Sequence, residues 1–366
     1  MEKKTPLYEE HLAQNGRIVP FAGYLLPVQY ETGVITEHMA VREHAGIFDV
    51  SHMGEAILEG PDALSNLNYI LTNSFTDLKC GAARYTLMLY ENAGQVDDLI
   101  VYRMGEEKFF LVLNAANTEK DLAWLKEHLT GNVTLTDLSD NTAQIALQGP
   151  DSKAILGRFC NADELPQKNY AFTQCMQVAG VPCLVSRTGY TGEFGYELYM
   201  KPPDAVTVWN AFLKAGALPC GLGCRDTLRL EAAMPLYGHE LSADTPPMAT
   251  GLSFAIKLDK GDFIGKSAML AQGQPARLRV GLKVTGRGIV REHEAVLLPG
   301  QKGKAGKEIG ITTSGTHCPS LGVGCAMAYL DRAYCEAGTA VEVSVRGRLV
   351  SAEVVPLPFY KRAPAF

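Results

Sequence analysis

The chain has 366 residues, 46% of them hydrophobic and 20% charged, with a formal net charge of −6. A rule of roughly 150 residues per domain predicts two or three domains with ample core. The negative charge, with no basic run, argues against nucleic acid as a partner. No apolar run reaches the ~18 residues of a membrane span, so no membrane association is expected.

Cysteine usage and the N-terminus indicate the compartment. The nine cysteines are scattered, mostly in apolar context, which predicts buried reduced thiols rather than a disulfide framework. Cys220 and Cys224 lack the second ligand pair that a zinc site needs, so no metal is expected. No apolar signal core follows Met1, and a cytoplasmic protein is the simplest interpretation.

Short helices and extended segments alternate at the start of the chain. The aromatic segment 18–24 is extended, and the segment 47–54 is typical of a strand that runs into Gly54. Apolar residues at helical spacing predict three helices, at 8–13, 36–44 and 62–71.

Residues 84–117 have the pattern of an antiparallel meander, with three β-rich segments separated by short Asn, Gly and Glu breaks. Asp97 and Asp98 lie at the start of its middle segment. Because side chains alternate along a strand, one of the two carboxylates is expected to face the interior, where desolvation is costly without a partner. Two aspartates that close a hairpin turn are an equally good local interpretation.

The middle of the chain adds a second β-hairpin. A strand from about 181 enters a Gly-rich turn and returns over 194–200. Glu197 lies on the less apolar face of the returning strand, beside Gly195 and Tyr199. On local evidence alone, an ordinary exposed strand glutamate is favoured. Around this hairpin the pattern predicts helices at 117–128, 151–159 and 203–215 and a strand at 142–149.

Gly221-Leu222-Gly223 opens a further helix that runs to about Met234. The G-x-G-x-x-G spacing of a dinucleotide site is absent. Arg225 lies in the first turn, where a cation opposes the helix dipole, so a bidentate contact with a carboxylate of the protein or a ligand is expected. Pairing with nearby Asp226 or Glu231 explains the residue equally well.

From about residue 277 the chain consists of short strands punctuated by Gly and Pro, which predicts a separate small β-barrel or sandwich. Seven motifs follow one another in a specific order along the whole chain. They are F-A-G-Y at Phe21, F-D-V-S-H-M-G-E at Phe48, D-D-L-I-V-Y at Asp97, N-A-A-N at Asn114, S-R-T-G-Y-T-G-E at Ser186, G-L-G-C-R-D at Gly221 and T-S-G-T-H-C-P-S-L-G at Thr313.

Taken together, these motifs make the chain resemble the T-protein family of the glycine cleavage system, the tetrahydrofolate-dependent aminomethyltransferases. The resemblance implies an α+β fold with three domains around a central folate channel and a C-terminal antiparallel β-barrel. It implies a folate-binding region over 1–275, whose two subdomains interleave (the second roughly 55–139 plus 166–230), and a barrel domain over 276–366.

The resemblance also implies which residues form the site. Asp98 matches the catalytic carboxylate beside the reactive folate nitrogens, and Glu197 and Arg225 match positions that hold the pterin ring. Positions along the ligand channel are matched by four further residues: Tyr85, Tyr102, Asn114 and Tyr190.

The activity implied is transfer of a methylene group from the aminomethyl-lipoyl arm of the partner H-protein to tetrahydrofolate. Ammonia departs, and the products are 5,10-methylenetetrahydrofolate and dihydrolipoyl H-protein. Tetrahydrofolate is therefore expected as co-substrate, and the lipoyl group is expected from the partner. Lys361 and Arg362 are candidates for meeting the anionic glutamyl tail of the folate.

Two other functions are compatible with this fold. A folate-binding iron–sulfur maintenance protein would carry a K-G-C-aromatic-x-G-Q-E signature, but Asp262 follows Lys260-Gly261 where that signature has its cysteine. A folate-dependent demethylase acting on a small methylated donor is harder to distinguish, because donor specificity lies in the shape of the channel.

Overall fold

The computed structural model describes residues 2–300 and 306–362, and these form two compact units. The first unit contains the residues up to Leu89, Val96–Arg225 and Ala255–Ile264, and the second contains Tyr90–Gln95, Asp226–Phe254 and the residues from Gly265 onward. The boundary after residue 275, the interleaved subdomains and the arrangement around a channel stay predictions. Of the predicted barrel domain, residues 301–305 and 363–366 lie outside the described residues.

The helices and strands follow the predicted order along the chain. The α-helices are α1 Tyr8–Ala13, α2 Gly33–Glu43, α3 Ala63–Ile70, α4 Thr118–His128, α5 Ser152–Leu156, α6 Ala205–Lys214, α7 Leu222–Glu231 and α8 Lys266–Ala271. The strands are β1 Lys3–Lys4, β2 Arg17–Phe21, β3 Tyr24–Gln29, β4 Gly46–Asp49, β5 Gly54–Glu59, β6 Ala83–Leu89, β7 Gln95–Arg103, β8 Lys108–Leu113, β9 Thr134–Asp137, β10 Ala143–Gln148, β11 Phe172–Val178, β12 Val181–Ser186, β13 Gly195–Met200, β14 Leu218–Pro219, β15 Arg277–Val284, β16 Ala295–Leu297, β17 Glu308–Cys318, β18 Val323–Asp331, β19 Ala340–Val345 and β20 Arg348–Val355.

A six-stranded sheet with the order β11-β12-β13-β10-β4-β14 forms one layer of the first unit. One of its faces packs against α6, whose Trp209 and Phe212 are fully buried in a cluster with Leu198 of β13 and Ile145 of β10. The predicted single strand over 47–54 is wrong, because the chain turns after β4 and begins β5 at Gly54 in another sheet.

The predicted meander forms one side of a five-stranded sheet with the order β6-β7-β8-β5-β9. A second hydrophobic cluster joins this sheet to the six-stranded sheet. Tyr102 of β7 and Phe110 of β8 meet Tyr199 of β13 at ring-centroid distances of 5.9 and 5.3 Å. Both faces of β13 are therefore covered, one by α6 and the other by the meander. The strand that carries Glu197 thus packs against the sheet that carries Asp98.

The C-terminal strands form the predicted antiparallel barrel, closed in the order β15-β18-β17-β16-β19-β20. Alternating residues point inward and fill it, among them Leu282, Val296, Leu330 and Val343, all fully buried. In the described part of the chain, no helix has the length and apolar character that a membrane crossing requires.

Candidate active site

The aspartate pair lies within strand β7 and does not close a turn. Asp97 is fully buried, and Asp98 on the opposite face is half-buried, as strand alternation predicts. Oδ2 of Asp98 accepts a hydrogen bond from the Tyr85 hydroxyl at 2.9 Å. The Asn114 amide lies 3.0 Å from Oδ1 of Asp98 and 3.0 Å from Oδ1 of Asp97, so it bridges the two carboxyls.

The surroundings of Asp98 make its carboxyl titrate near neutrality. Burial and the neighbouring Asp97 charge raise the pKa of Asp98 to about 7, against the opposing effect of the hydrogen bonds from Tyr85 and Asn114. Burial disfavours a charge, and a second carboxylate close by disfavours it further. Asp98 is thus able to exchange a proton at physiological pH.

Glu197 occupies a different environment. Only 7% of it is exposed, because the face of β13 that carries it packs against the meander. The local interpretation of an exposed strand glutamate is therefore wrong. Thr188 Oγ1 donates to Oε2, and Gln144 Nε2 donates to Oε1 at 3.1 Å. Burial raises the pKa of Glu197, while Thr188, the Arg225 charge and Gln144 lower it.

Arg225 is held by the glycine-rich start of α7. The Gly221 amide donates to Oε2 of Glu37 at 2.9 Å, and a Cβ at Gly221 would lie 2.5 Å from the backbone of Val28. Glycine is therefore required for the chain to pass this point. The Arg225 guanidinium carbon lies 4.7 Å from the centre of the Tyr190 ring, within cation–π range.

The remaining predicted residues differ in where they lie. Tyr85 and Tyr190 are half-buried, and burial, Asp98 and, to a smaller extent, Tyr190 raise the pKa of Tyr85. Tyr102 is fully buried; its hydroxyl lies 3.1 Å from that of Tyr199 and 3.3 Å from Oγ1 of Thr188, one contact behind Glu197. Direct contact of Tyr102 with a ligand stays a prediction.

Two further residues belong to this cluster and were missed in the sequence. Burial and the charges of Glu197 and Asp98 raise the pKa of Tyr170. Its backbone φ of 62° is unusual for a bulky residue, and 42% of the side chain is exposed. His52 is buried, and burial and the Arg225 charge lower its pKa to about 4, which keeps it neutral. No spacing rule singles out Tyr170, whereas His52 is part of the F-D-V-S-H-M-G-E motif.

The assembled cluster combines two chemical functions. Glu197 and the Arg225–Tyr190 pair present an acceptor, a planar donor and an aromatic face, which suits a flat polar heterocycle. Asp98 presents a carboxyl that gains and loses a proton near pH 7. Among the described residues, no three His, Cys, Asp or Glu side chains group as ligands for a metal ion.

Comparisons with known proteins bear on the family to which the chain belongs. Residues 7–260 match the family described as the GCVT N-terminal domain, and residues 277–361 match the glycine cleavage T-protein C-terminal barrel domain. The chain is 46% identical to an aminomethyltransferase of Listeria monocytogenes, over 98% of each chain. It is also 46% identical to an aminomethyltransferase of Geobacillus kaustophilus, over 99% of this chain and 100% of the relative.

A solved structure gives the same result for the fold. The chain superimposes on the glycine cleavage system aminomethyltransferase T from Bartonella henselae with a TM-score of 0.90 and 34% identity, over 99% of both chains. The family matches and the relatives each extend over nearly the whole chain. The chain therefore belongs to the glycine cleavage T-protein family of tetrahydrofolate-dependent aminomethyltransferases.

Proposed function

We propose that this aminomethyltransferase takes the methylene group of an aminomethyl-lipoyl H-protein, transfers it to tetrahydrofolate bound at the cluster described above, and releases ammonia. The single observation that carries this proposal is the pairing of a carboxyl that titrates near pH 7, Asp98, with a separate anchoring group formed by Glu197 and Arg225. The first group suits proton handling, and the second suits recognition of a heterocycle.

The cluster fits a reduced pterin. Neighbouring N–H donors on one edge of the ring match the two oxygens of Glu197, and the ring carbonyl and acceptor nitrogen match the Arg225 guanidinium. Tyr190 and Tyr170 supply flat walls on which such a ring packs. Tyr102 supports Glu197 from behind, through the Thr188 hydroxyl that both residues contact.

Asp98 performs the chemical role in this proposal. As the methylene leaves, its bonds to ammonia and to the lipoyl sulfur break, and two bonds to folate nitrogens form. Positive charge develops at the methylene carbon. Each of the two folate nitrogens loses a proton, and these two protons end on the departing ammonia and on the dihydrolipoyl sulfur. An ionised Asp98 stabilises the cation, accepts the proton of the attacking nitrogen and passes it on, while Tyr85 and Asn114 hold its two oxygens in place.

The partners follow from the same reaction. The lipoyl arm arrives on the H-protein, and the co-substrate is tetrahydrofolate. The stretch at the position of the iron–sulfur maintenance signature is held by hydrogen bonds to the main chain. Lys260 donates to the backbone oxygens of Leu71 and Asn73, and Asp262 caps the Phe263 amide at 3.0 Å.

The experiment that tests this proposal measures ammonia release from aminomethyl-lipoyl H-protein, with and without tetrahydrofolate. We expect folate to accelerate release strongly and methylenetetrahydrofolate to accumulate in equal amount. Folate binding without ammonia release would contradict the proposal, and small methylated donors would then be the substrates to try. Glu119→Gln removes an exposed carboxylate outside the cluster, and this control variant is expected to release ammonia as the wild type does.

A further inference from the structure

The hydroxyl of Tyr199 belongs to a hydrogen-bonded group that also contains Glu197. The two side chains lie on the same face of β13, because they are two residues apart. The Tyr199 ring is 95% buried, with its centroid 5.9 Å from that of Tyr102 and 5.3 Å from that of Phe110. A buried hydroxyl needs hydrogen-bond partners, and the partners of Tyr199 determine what it does here.

The first hydrogen-bonded path from Tyr199 to Glu197 runs through Gln144. Gln144 of β10 lies directly opposite Tyr199 in the strand register, so the two side chains share a face of the sheet. Its Nε2 lies 3.1 Å from the Tyr199 hydroxyl and 3.1 Å from Oε1 of Glu197. The reverse orientation of this amide would turn its carbonyl oxygen toward the carboxylate. Gln144 therefore gives one amide hydrogen to each partner, and the Tyr199 oxygen accepts.

The second path leads to the other carboxylate oxygen. Because the Tyr199 oxygen already accepts an amide hydrogen, its own hydrogen is available to the Tyr102 hydroxyl, 3.1 Å away. The Tyr102 hydroxyl in turn lies 3.3 Å from Oγ1 of Thr188. Thr188 has a single hydrogen, which it donates to Oε2 of Glu197, since a carboxylate is a stronger acceptor than the Ser186 hydroxyl at 3.0 Å.

Both paths favour an ionised Glu197. Burial raises the pKa of Tyr102 and that of Tyr199, so each tyrosine keeps the hydrogen that it donates. Burial also raises the pKa of Glu197, and the hydrogen bonds from Thr188 and Gln144 oppose this effect. Each carboxylate oxygen thus accepts a hydrogen bond from the protein and retains acceptor capacity for a ligand.

We propose that Tyr199 is a positioning residue, whose hydroxyl joins the two paths and thereby fixes both carboxylate oxygens of Glu197 for binding of the pterin. Without this hydroxyl, one amide hydrogen of Gln144 would lose its acceptor, and Tyr102 would lose a donor. Glu197 would then be held less firmly, and ordering it would weaken ligand binding. The two paths follow from the geometry, whereas their consequence for the pterin rests on the proposed function.

Tyr199→Phe tests this role, because it removes the hydroxyl and keeps the ring. We expect the Kd for tetrahydrofolate to rise about three- to tenfold, as for the loss of one hydrogen bond, with a much smaller change in the turnover number at saturating folate. Tyr196→Phe makes the same change at a buried position on the opposite face of β13, and its Kd is expected to equal that of the wild type. An unchanged Kd in Tyr199→Phe, or an equal rise in both variants, would overturn the proposal.

The Glu197→Gln background distinguishes action through Glu197 from a general structural effect. Since both paths end on this carboxylate, Tyr199→Phe is expected to raise the folate Kd of Glu197→Gln by less than about twofold. The same three- to tenfold rise in both backgrounds would indicate a structural defect and would overturn the positioning role, leaving the proposed function intact. A wild type that binds no tetrahydrofolate in the same equilibrium assay would contradict the proposed function and the positioning role together.

Discussion

Asp98 and Glu197 are both carboxyls on strands that pack against each other, yet the chain surrounds them differently. Glu197 receives hydrogen bonds from Thr188 and Gln144 and lies in the field of the Arg225 cation. Asp98 receives hydrogen bonds from Tyr85 and Asn114, but the neighbouring charge that acts on its pKa is another carboxylate, Asp97. Burial raises the pKa of both, and the sign of the neighbouring charge makes the difference.

This difference in surroundings suits one carboxyl to ligand binding and the other to the chemical step. A carboxylate beside a cation keeps its charge and serves as a fixed acceptor, whereas one beside an anion titrates in the working pH range. We therefore propose that Glu197 recognises the pterin and that Asp98 acts in the transfer step. Each of the following changes tests one side of it.

The largest effect is expected for Asp98→Asn. The amide keeps the shape of the side chain but cannot accept a proton or offset the developing cation. We expect the turnover number to fall by about 10²–10⁴-fold, while the dissociation constant for tetrahydrofolate changes little. Steady-state ammonia release and equilibrium folate binding measure the two quantities. Equal loss of binding and turnover would indicate that Asp98 is structural.

Glu197→Gln tests the other side of the comparison. Hydrogen bonds to charged groups contribute about 1.5–3 kcal/mol, so tetrahydrofolate binding is expected to weaken by roughly ten- to a hundredfold. At saturating folate the turnover number is expected to fall far less than in Asp98→Asn. Glu107→Gln, an exposed change on the same unit, controls for net charge. Unchanged folate affinity would remove Glu197 from the binding site.

Tyr85→Phe tests the effect of the Tyr85 hydrogen bond on the pKa of Asp98. Its hydroxyl donates to Oδ2 at 2.9 Å and lowers the pKa of Asp98. Without it that pKa rises, so the acidic limb of the rate profile is expected to move to higher pH, with activity at pH 7 reduced about three- to tenfold. Tyr69→Phe, at an exposed position, is the control. A limb that moves to lower pH would contradict the hydrogen-bond assignment.

The smallest effect concerns stability. The folded protein keeps the Asp98 proton up to about pH 7, whereas the unfolded chain releases it near pH 4. Stability from this group is therefore lost as pH rises through that window. The Asp98→Asn variant has no carboxyl here, so it does not lose this stability as the pH rises. Its melting temperature is expected to exceed that of the wild type by a few degrees at about pH 8, and the difference in melting temperature is expected to be smaller at pH 5. Thermal denaturation at both pH values measures it.

Much of the fold could be predicted from local patterns, because each signal depends on neighbouring residues. The meander, the hairpin ending in β13 and the short strands of the C-terminal region follow from alternation and turn residues. The same pattern fitted a barrel or a sandwich, and only the family resemblance implied the barrel. Alternation also predicted that Asp97 and Asp98 face opposite sides. These features need no information on how distant segments pack.

The surroundings of the site residues depend on contacts between segments that are distant in sequence, and the local pattern does not contain this information. Glu197 was expected to be exposed, since nothing near it in sequence shows that Tyr102 and Phe110 cover its face of the sheet. Tyr170 was missed because nothing near it in sequence shows that the charges of Glu197 and Asp98 act on it. Only the order of motifs along the whole chain pointed to Glu197 and Arg225 as partners of Asp98.

The most direct test of the account is the pH dependence of kcat/KM for folate-dependent ammonia release, measured between about pH 5 and pH 9. The account predicts that activity rises through an acidic limb centred near pH 7 in the wild type, because Asp98 must be ionised to act. The residual activity of Asp98→Asn is predicted to lack that limb. A wild-type profile that is flat down to pH 5, or a limb that persists in Asp98→Asn, would contradict it.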